Sequence, residues 1–349
     1  MASPPAGAKG ARRATLRDVA ERAGVSIKTA SRVVNEEPGV SAAKVEAVQR
    51  AVEELNYRPN LGASSLRRAD GRTAAIGALL EDLANPFSAG LHRALEEAAR
   101  QRHVLVFAGS VEENPDRELQ LVRAFTSRGA DGLIVVPATN DHRYLETEVL
   151  AGTPVVFVDR PPAGYAADCV MTDNRDGSSR AVKHLARHGH ERIAFLGDLR
   201  SIATARQRYD GYVGALTVAG LSIPHDYVAH DLHDEPTAEA AVERMMALAQ
   251  PPTALFTAQN NITVGAIRAL QRLGLEQRVA LVGFDDFPLA SLLRPAVTVV
   301  AQDPAAIGRQ AAEILFARIG GDTSPTATRI VPTMLIQRGS GEIRPPAGQ

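Results

Sequence analysis

The stretch SIKTASRVVN, residues 26–35, sets several hydrogen-bonding side chains close together. On a helical spacing Ala30 and Val33 point inward, while Ile27, Lys28, Ser31 and Arg32 fall toward another face. Lys28 offers a point charge with three donors, Arg32 a planar fork of five, and Ser26, Ser31 and Asn35 short polar groups. That set suits recognition of an acceptor-rich surface rather than bond making. The other chemistry-bearing residues assemble no catalytic pattern. Asp285 and Asp286 are adjacent carboxylates in VGFDD, but nothing near them supplies a nucleophile or a metal ligand, and loop capping explains them. His188 and His190 in HGHERIAF lack further ligands at metal-binding spacing. The single Cys169 cannot make an internal disulfide and reads as a small buried apolar residue. Neither a phosphate-binding GxxxxGK[ST] loop nor a GxSxG nucleophile elbow occurs. No enzymatic activity, cofactor or metal is expected.

The elements around residues 26–35 follow from capping and periodicity. Thr15 with Asp18 fits a capping pattern, and Leu16, Val19, Ala20 and Ala23 then recur at i, i+3, i+4, i+7. Gly24 stops that helix, Val25 sits in the turn, and Ser26 caps the next. A third helix starts after Ser41 with Val45, Val48, Val52 and Leu55 as its stripe; NYRPN ends it, because Pro59 disfavours helix in the residue before it. Helix, glycine turn and second helix with small inward residues form a helix-turn-helix pattern, although an ordinary helical hairpin fits the same signals. In the first reading the second helix enters a DNA major groove.

After residue 73 the texture changes. Short β-branched runs (AAIGALL, DGLIVVPA, TPVVFVD, RIAFLGD, TALFTAQ, RVALVGFDD, VTVVAQD) alternate with helical stretches. Such alternation implies parallel sheets flanked by helices, and the strands are too many for one ordinary sheet. Two similar α/β lobes are expected. The predicted organisation is an arm (1–14), an all-α headpiece (15–59), a hinge helix and linker (60–72), a two-lobed body (73–340) and a tail (341–349). The first lobe takes about 74–174 and 297–329, the second about 175–295 and 331–340.

Composition narrows the function classes. The chain has 349 residues, 45% hydrophobic, with one cysteine and no tryptophan. No run approaches the ~20 apolar residues of a membrane span, and MASPPAGAKGARRA lacks the apolar core of a secretory signal. Net charge is −1, yet residues 1–68 hold 12 Lys/Arg against 7 Asp/Glu and the remainder 27 against 33. A basic head on an acidic body suits a head that meets a polyanion.

The motifs themselves are more specific. GVSIKTASRVVN, VS at 40–41, NYRPN at 56–60 and SSLRR at 64–68 resemble the headpiece and hinge of the lactose-repressor (LacI/GalR) family of bacterial transcription regulators. LEDLANPF, VDRP, TDN, HLARHGHERIAFLGD and VALVGFDD extend the resemblance over about residues 15–340. It implies the fold of periplasmic sugar-binding proteins for the body, with lobe crossings near 174–176, 295–297 and 329–331. It also implies a cytoplasmic, nucleoid-associated homodimer on a pseudo-palindromic double-stranded operator, controlled by a small effector such as a sugar. A soluble sugar-binding protein without regulatory role is the alternative, which the headpiece disfavours.

Laid on these residues, the resemblance has Leu16 touch DNA at the start of the first helix. Ser26, Ser31, Asn35, Tyr57 and Asn60 make positioning contacts, and Ile27, Lys28 and Arg32 read base edges. Ile27 offers only apolar contact, unless it packs within the headpiece. Leu66 stands at the position of a wedge that opens a base step in the minor groove, a role compatible with hinge–hinge packing. Ala30 replaces a larger aliphatic residue. For the effector, Arg208 presents a fork for hydroxyls or a carboxylate, and Asp285 accepts from hydroxyls. Asn85 and Phe87 line the first lobe, Phe87 with core packing as its other reading. Gln259 and Asn260 stand where the family usually carries Asn-Asp, and Leu232 roughly where some relatives stack an aromatic ring.

Overall fold

The computed structural model describes residues 14–35, 37–58 and 72–346, and the chain divides into two compact units, residues 1–73 and 74–349. The hinge segment with Asn60 and Leu66 and most of the N-terminal arm lie outside the described residues.

In the first unit, α1 (Leu16–Arg22), α2 (Ile27–Val34) and α3 (Ala42–Glu54) enclose a small core of Val19, Ala20, Ala30, Val48 and Ala51. Thr15 and Asp18 complete a capping box on α1, Ser26 caps α2 through the Thr29 amide, and Gly24 takes φ 65° in the turn. The third helix starts after Ser41, as expected, and one expectation is corrected. The third helix ends at Glu54 because Asn56 adopts φ 45° and the Tyr57 amide returns to the Val52 carbonyl, so the stop precedes Pro59 by several residues. Asn is among the few side chains that tolerate this left-handed region.

The second unit carries two six-stranded sheets. The first has order β11-β5-β4-β3-β1-β2, from β1 (Ala75–Leu80), β2 (Leu105–Ser110), β3 (Leu133–Val135), β4 (Val155–Val158), β5 (Asp168–Thr172) and β11 (Thr328–Val331). All its pairs are parallel. The second has order β12-β10-β9-β8-β6-β7, from β6 (Ile193–Leu196), β7 (Val228–Ala229), β8 (Ala254–Thr257), β9 (Ala280–Phe284), β10 (Thr298–Ala301) and β12 (Met334–Ile336). Here β12 runs antiparallel to β10, a departure from wholly parallel sheets.

The helices that matter for the site are α4 (Pro86–Arg100), α5 (Pro115–Thr126), α6 (Glu146–Leu150), α7 (Asn174–Arg187), α8 (Ala203–Ala219), α9 (Glu235–Met246), α10 (Asn260–Leu273) and α11 (Pro304–Ile319). Strands buried on both faces alternate their side chains between two cores. Ile76, Ala78 and Leu80 face one, while Leu79, Phe157 and Cys169 face the other. Burial, with Asp159 and Asp168 nearby, pushes the Cys169 thiol up to about 12, so it is an inert core residue.

The chain passes between lobes three times: after β5, after β10 and between β11 and β12. The second crossing was expected near 295–297. Because β10 pairs with β9 in the second sheet, residues 298–301 belong to that lobe and the crossing follows Ala301.

Candidate functional site

Two surfaces gather the expected residues, one in each unit. In the headpiece, Ile27 is 43% exposed, so packing does not explain its side chain. Lys28 beside it is also exposed. Ser26 is occupied locally, its hydroxyl accepting from the Thr29 amide at 3.1 Å and lying 2.9 Å from the Thr29 hydroxyl. Ser31 accepts from the Asn35 side-chain amide at 3.3 Å. Leu16 and Tyr57 are half-buried against the headpiece core. Arg32 is half-buried too, and its guanidinium bonds the Pro38 carbonyl and lies 3.5 Å from Glu37. Arg22 ties α1 to α3 through Glu54 at 2.6 Å. The outward face of α2 thus presents an apolar residue and a cation on a short, capped helix.

In the body the site is built where strand ends meet helix starts, the usual position for ligands in open α/β sheets. Arg208 lies in the second turn of α8 and is 5% exposed, so it is not a surface arginine. It reaches this depth because α8 crosses α7 closely at Gly211, where a Cβ would lie 2.2 Å from the Arg175 carbonyl. The crossing sets Arg208 beside Asn174, the first residue of α7. Its Nε donates to Asn174 Oδ1 at 2.8 Å and its Nη1 to the Ala258 carbonyl at 2.8 Å and to Asp285 at 3.3 Å. The guanidinium also stacks on Phe284, 3.9 Å from the ring centroid. Asp285 takes φ 71° at the end of β9 and accepts a second bond from Gln302 at 2.7 Å. Arg208 and Asp285, distant in sequence, therefore form one buried unit.

Asn85 and Asn260 pair across the lobes. Asn260 donates to Asn85 Oδ1 at 3.1 Å, and Asn85 donates to Asn260 Oδ1 at 3.4 Å. Asn85 Oδ1 also caps α4 through the Phe87 amide at 3.0 Å. Gln259 turns instead to its own helix, capping α10 through the Asn261 and Ile262 amides at 2.8 and 3.3 Å. Phe87 is partly buried against the first-lobe core. Leu232 is buried in the second-lobe core, so its side chain is not available for stacking.

Sequence reasoning gave no role to several residues that complete the cleft. Asp159, at the end of β4 with φ 67°, is 7% exposed. Burial raises its pKa, offset in part by Arg160 and Arg208, so its carboxylate is electrostatically within reach of the Arg208 unit. Arg160 is clamped by Glu113 through two bonds of 2.7 and 2.6 Å and by the Pro137 carbonyl at 3.0 Å. Glu81, at the end of β1, rises to about 7, first through burial and then through Glu113. Opposite it, a 2.9 Å hydrogen bond with Asp198 raises the pKa of His233. A cavity of about 170 Å³ lies between the lobes, lined by Glu113, Asn140 and Arg160 from the first and Ile202 and Arg206 from the second. The quoted VDRP, LEDLANPF and HLARHGHERIAFLGD motifs were the available signals for Asp159, Arg160, Glu81 and Asp198; Glu113 and His233 needed the fold. Beneath this cavity, buried Glu118 accepts from the Ala138 and Thr139 amides and the Tyr144 hydroxyl, fixing the loop that carries Asn140.

A sequence model described as "Bacterial regulatory proteins, lacI family" matches residues 15–60. One described as "Periplasmic binding proteins and sugar binding domain of LacI family" matches residues 73–339. The chain belongs to the LacI family. Among relatives of this LacI-family chain, the HTH-type transcriptional repressor PurR of Aliivibrio salmonicida (strain LFI1238) is 31% identical over 309 residues, 88% of this chain and 92% of that one. A crystal structure of the lac repressor dimer bound to operator and the anti-inducer ONPF matches with TM-score 0.82 and 27% identity, covering 95% of this chain and 99% of that one. The transcriptional regulator CelR in complex with cellobiose matches with TM-score 0.70 and 29% identity, covering 94% and 100%. This LacI-family protein is a DNA-binding transcription regulator with a periplasmic-binding-protein-like body. Among its described residues no helix is long and apolar enough to cross a membrane.

Proposed function

We propose that this regulator is a dimeric repressor of a pseudo-palindromic operator, controlled by an uncharged hydroxylated effector, a sugar or close analogue, held between the lobes of its body. The observation that carries the reading is the buried unit of Arg208, Asn174 and Asp285, with Asp159 within electrostatic reach. A buried ion pair is a poor source of net stability, and a cluster of this kind at strand ends suits ligand recognition better than fold maintenance.

The chemistry of the cleft selects the ligand class. Arg208 is already paired with Asp285, Arg160 with Glu113, and His233 with Asp198. An incoming anion would meet Asp159 and Asp285 and would compete with these pairs for Arg208 and Arg160, while Arg206 on the cavity wall bonds the Arg200 and Ser201 carbonyls and no carboxylate among the described residues. Hydroxyl groups would instead donate to the carboxylates and accept from Arg208 without displacing charge. The cellobiose of the CelR complex is a ligand of this chemistry. The family model's sugar-binding description points the same way.

Ile27, Lys28 and Arg32 are the base readers of this proposal, with Ser26, Ser31, Asn35, Tyr57 and Asn60 as positioning contacts. The homodimer follows the lac repressor dimer, and the chain would act on DNA in a bacterial cytoplasm. The test is a thermal-shift screen of the full chain against pentoses, hexoses, disaccharides and their phosphates, followed by operator binding with each stabilising compound. A neutral sugar should raise the melting temperature and change operator affinity. Stabilisation by the phosphorylated sugars alone would overturn the ligand class, and a stabilising sugar without effect on DNA binding would overturn its regulatory role.

A further inference from the structure

Arg32 differs from its neighbours on the outward face of α2. Lys28 and Ile27 are exposed, whereas Arg32 is half-buried and wrapped by the segment that follows the helix. The Glu37 amide donates to the Arg32 carbonyl at 2.8 Å, which folds this segment back over the last turn of α2. The side chain then meets the same segment. Nη2 donates to the Pro38 carbonyl, and Nε lies 3.5 Å from a carboxylate oxygen of Glu37. Gly39 completes the cradle. It adopts φ 93°, and a Cβ at that position would lie 3.0 Å from Nη2. A glycine there serves both the backbone turn and the space the guanidinium occupies.

These contacts divide the guanidinium. Both involve Nε or Nη2, while Nη1 makes no bond among the described residues. Nη1 and the second hydrogen of Nη2 remain as donors for the O6 and N7 acceptors of guanine. An unrestrained arginine side chain has long reach and many rotamers, so it can settle on a phosphate or another acceptor when the correct base is missing. A side chain held at Nε and Nη2 has less freedom to do so, and a wrong base leaves its remaining donors unmatched.

We propose that the Glu37-Pro38-Gly39 turn is a positioning device for Arg32, and that it sets how sharply this regulator distinguishes guanine from other bases in its operator. The proposal rests on the assignment of Arg32 as a base reader. Glu37 and Gly39 act through Arg32 and need not touch the bases themselves.

The test uses the full chain and operators that it selects from randomised duplexes. The position at which Arg32→Ala loses base preference identifies the guanine that Arg32 reads. The measurement is then the ratio of dissociation constants for adenine against guanine at that position. A ratio cancels the uniform gain in affinity that loss of an acidic charge near phosphates would cause. Glu37→Gln and Gly39→Ala should each lower the ratio by about 3- to 10-fold, part of the discrimination a good bidentate contact supplies. In an Arg32→Ala background neither should change it. Glu37→Gln leaves the backbone unaltered and carries the test should Gly39→Ala disturb the turn. Parent-like ratios in Glu37→Gln and in a folded Gly39→Ala would overturn the proposal, as would equal losses in the Arg32→Ala background. If Arg32→Ala changes preference at no position, the base-reading assignment falls and the turn's role falls with it.

Discussion

The pairing of Arg208 with Asp285 can be tested by a substitution that keeps shape and removes charge. Asp285→Asn is better suited than Asp285→Ala, because residue 285 sits at φ 71° and asparagine tolerates that region where alanine adds strain. The amide still meets Gln302, which lies 2.7 Å from the present carboxylate. What is lost is the anion facing a guanidinium whose side chain is 6% exposed. Removing one member of a buried pair costs about 3–5 kcal/mol. Arg208 keeps two bonds of 2.8 Å and the Phe284 ring, so the lower end applies, about 3 kcal/mol. For a unit of this size that is a fall of roughly 6–12 °C in the melting temperature of the body. Arg208→Met, which keeps an apolar stem against Phe284, should recover much of the loss when combined with Asp285→Asn. Urea unfolding of the four proteins gives the coupling directly. A coupling under about 0.5 kcal/mol, or a double variant no more stable than Asp285→Asn alone, would refute the account of this unit as an interdependent ion pair.

Other expected outcomes concern the cleft and the headpiece. Glu81 is raised from 4.5 to about 7 and His233 is raised above 6.5, so the folded body holds protons that the unfolded chain releases. Their stabilising contribution is complete at low pH and is lost as pH rises through these folded values, against the opposite trend of His142, His190 and His230, whose folded values burial lowers. Relative to the parent, Glu81→Gln should therefore gain stability in urea between pH 5 and pH 8, and an unchanged difference across that range would remove Glu81 from the cause. Asn260→Ala deletes both bonds to Asn85, each worth about 1 kcal/mol, and should open the lobes. Small-angle scattering should show a larger radius of gyration for this variant; an unchanged radius would mean other contacts hold the lobes. Lys28→Ala should weaken operator binding, and a drop of about 1 in the salt slope would mark a phosphate contact, whereas relaxed base preference at constant slope would mark a base reader.

The parts legible in sequence were those fixed by local chemistry or by a specific motif. Thr15, Asp18, Gly24 and Ser26 announced the first two helices because capping and a left-handed turn depend on single side chains. The alternation after residue 73 announced parallel sheets, since strands buried on both faces are continuous apolar runs. The crossing after β10 was misplaced for a physical reason. VTVVAQD is apolar enough for either lobe, and only its pairing with β9 assigns it. Asn56, not Pro59, stops α3, because a left-handed asparagine competes with proline as a terminator and leaves a weaker mark. Arg208 and Asp285 were found through their motifs, but their mutual contact depends on the close crossing at Gly211, which no sequence spacing reveals. Glu113 and Glu81 drew no role because the acidic pairs Glu112-Glu113 and Glu81-Asp82 resemble solvated surface until a fold buries one member.

Residues 259 and 260 divide their roles, and the resemblance that implies Asn-Asp here meets Gln-Asn in this chain. Gln259 is long enough to bend back and cap α10, taking the Asn261 and Ile262 amides on one oxygen. That leaves Asn260 at the cleft, where an amide does what a carboxylate cannot. An aspartate there would accept from Asn85 but could donate nothing in return. The amide both donates to Asn85 Oδ1 and accepts from Asn85 Nδ2, and the pair carries no charge. Closure of the lobes at this point is therefore independent of pH and weakly screened by salt. Electrostatic control of the cleft falls instead to Glu81, Asp159 and the His233–Asp198 pair. On the proposed reading, a hydroxylated ligand meets those groups without breaking the amide latch, and Glu81 and Asp159, both raised by burial, can share protons with its hydroxyls rather than repel them.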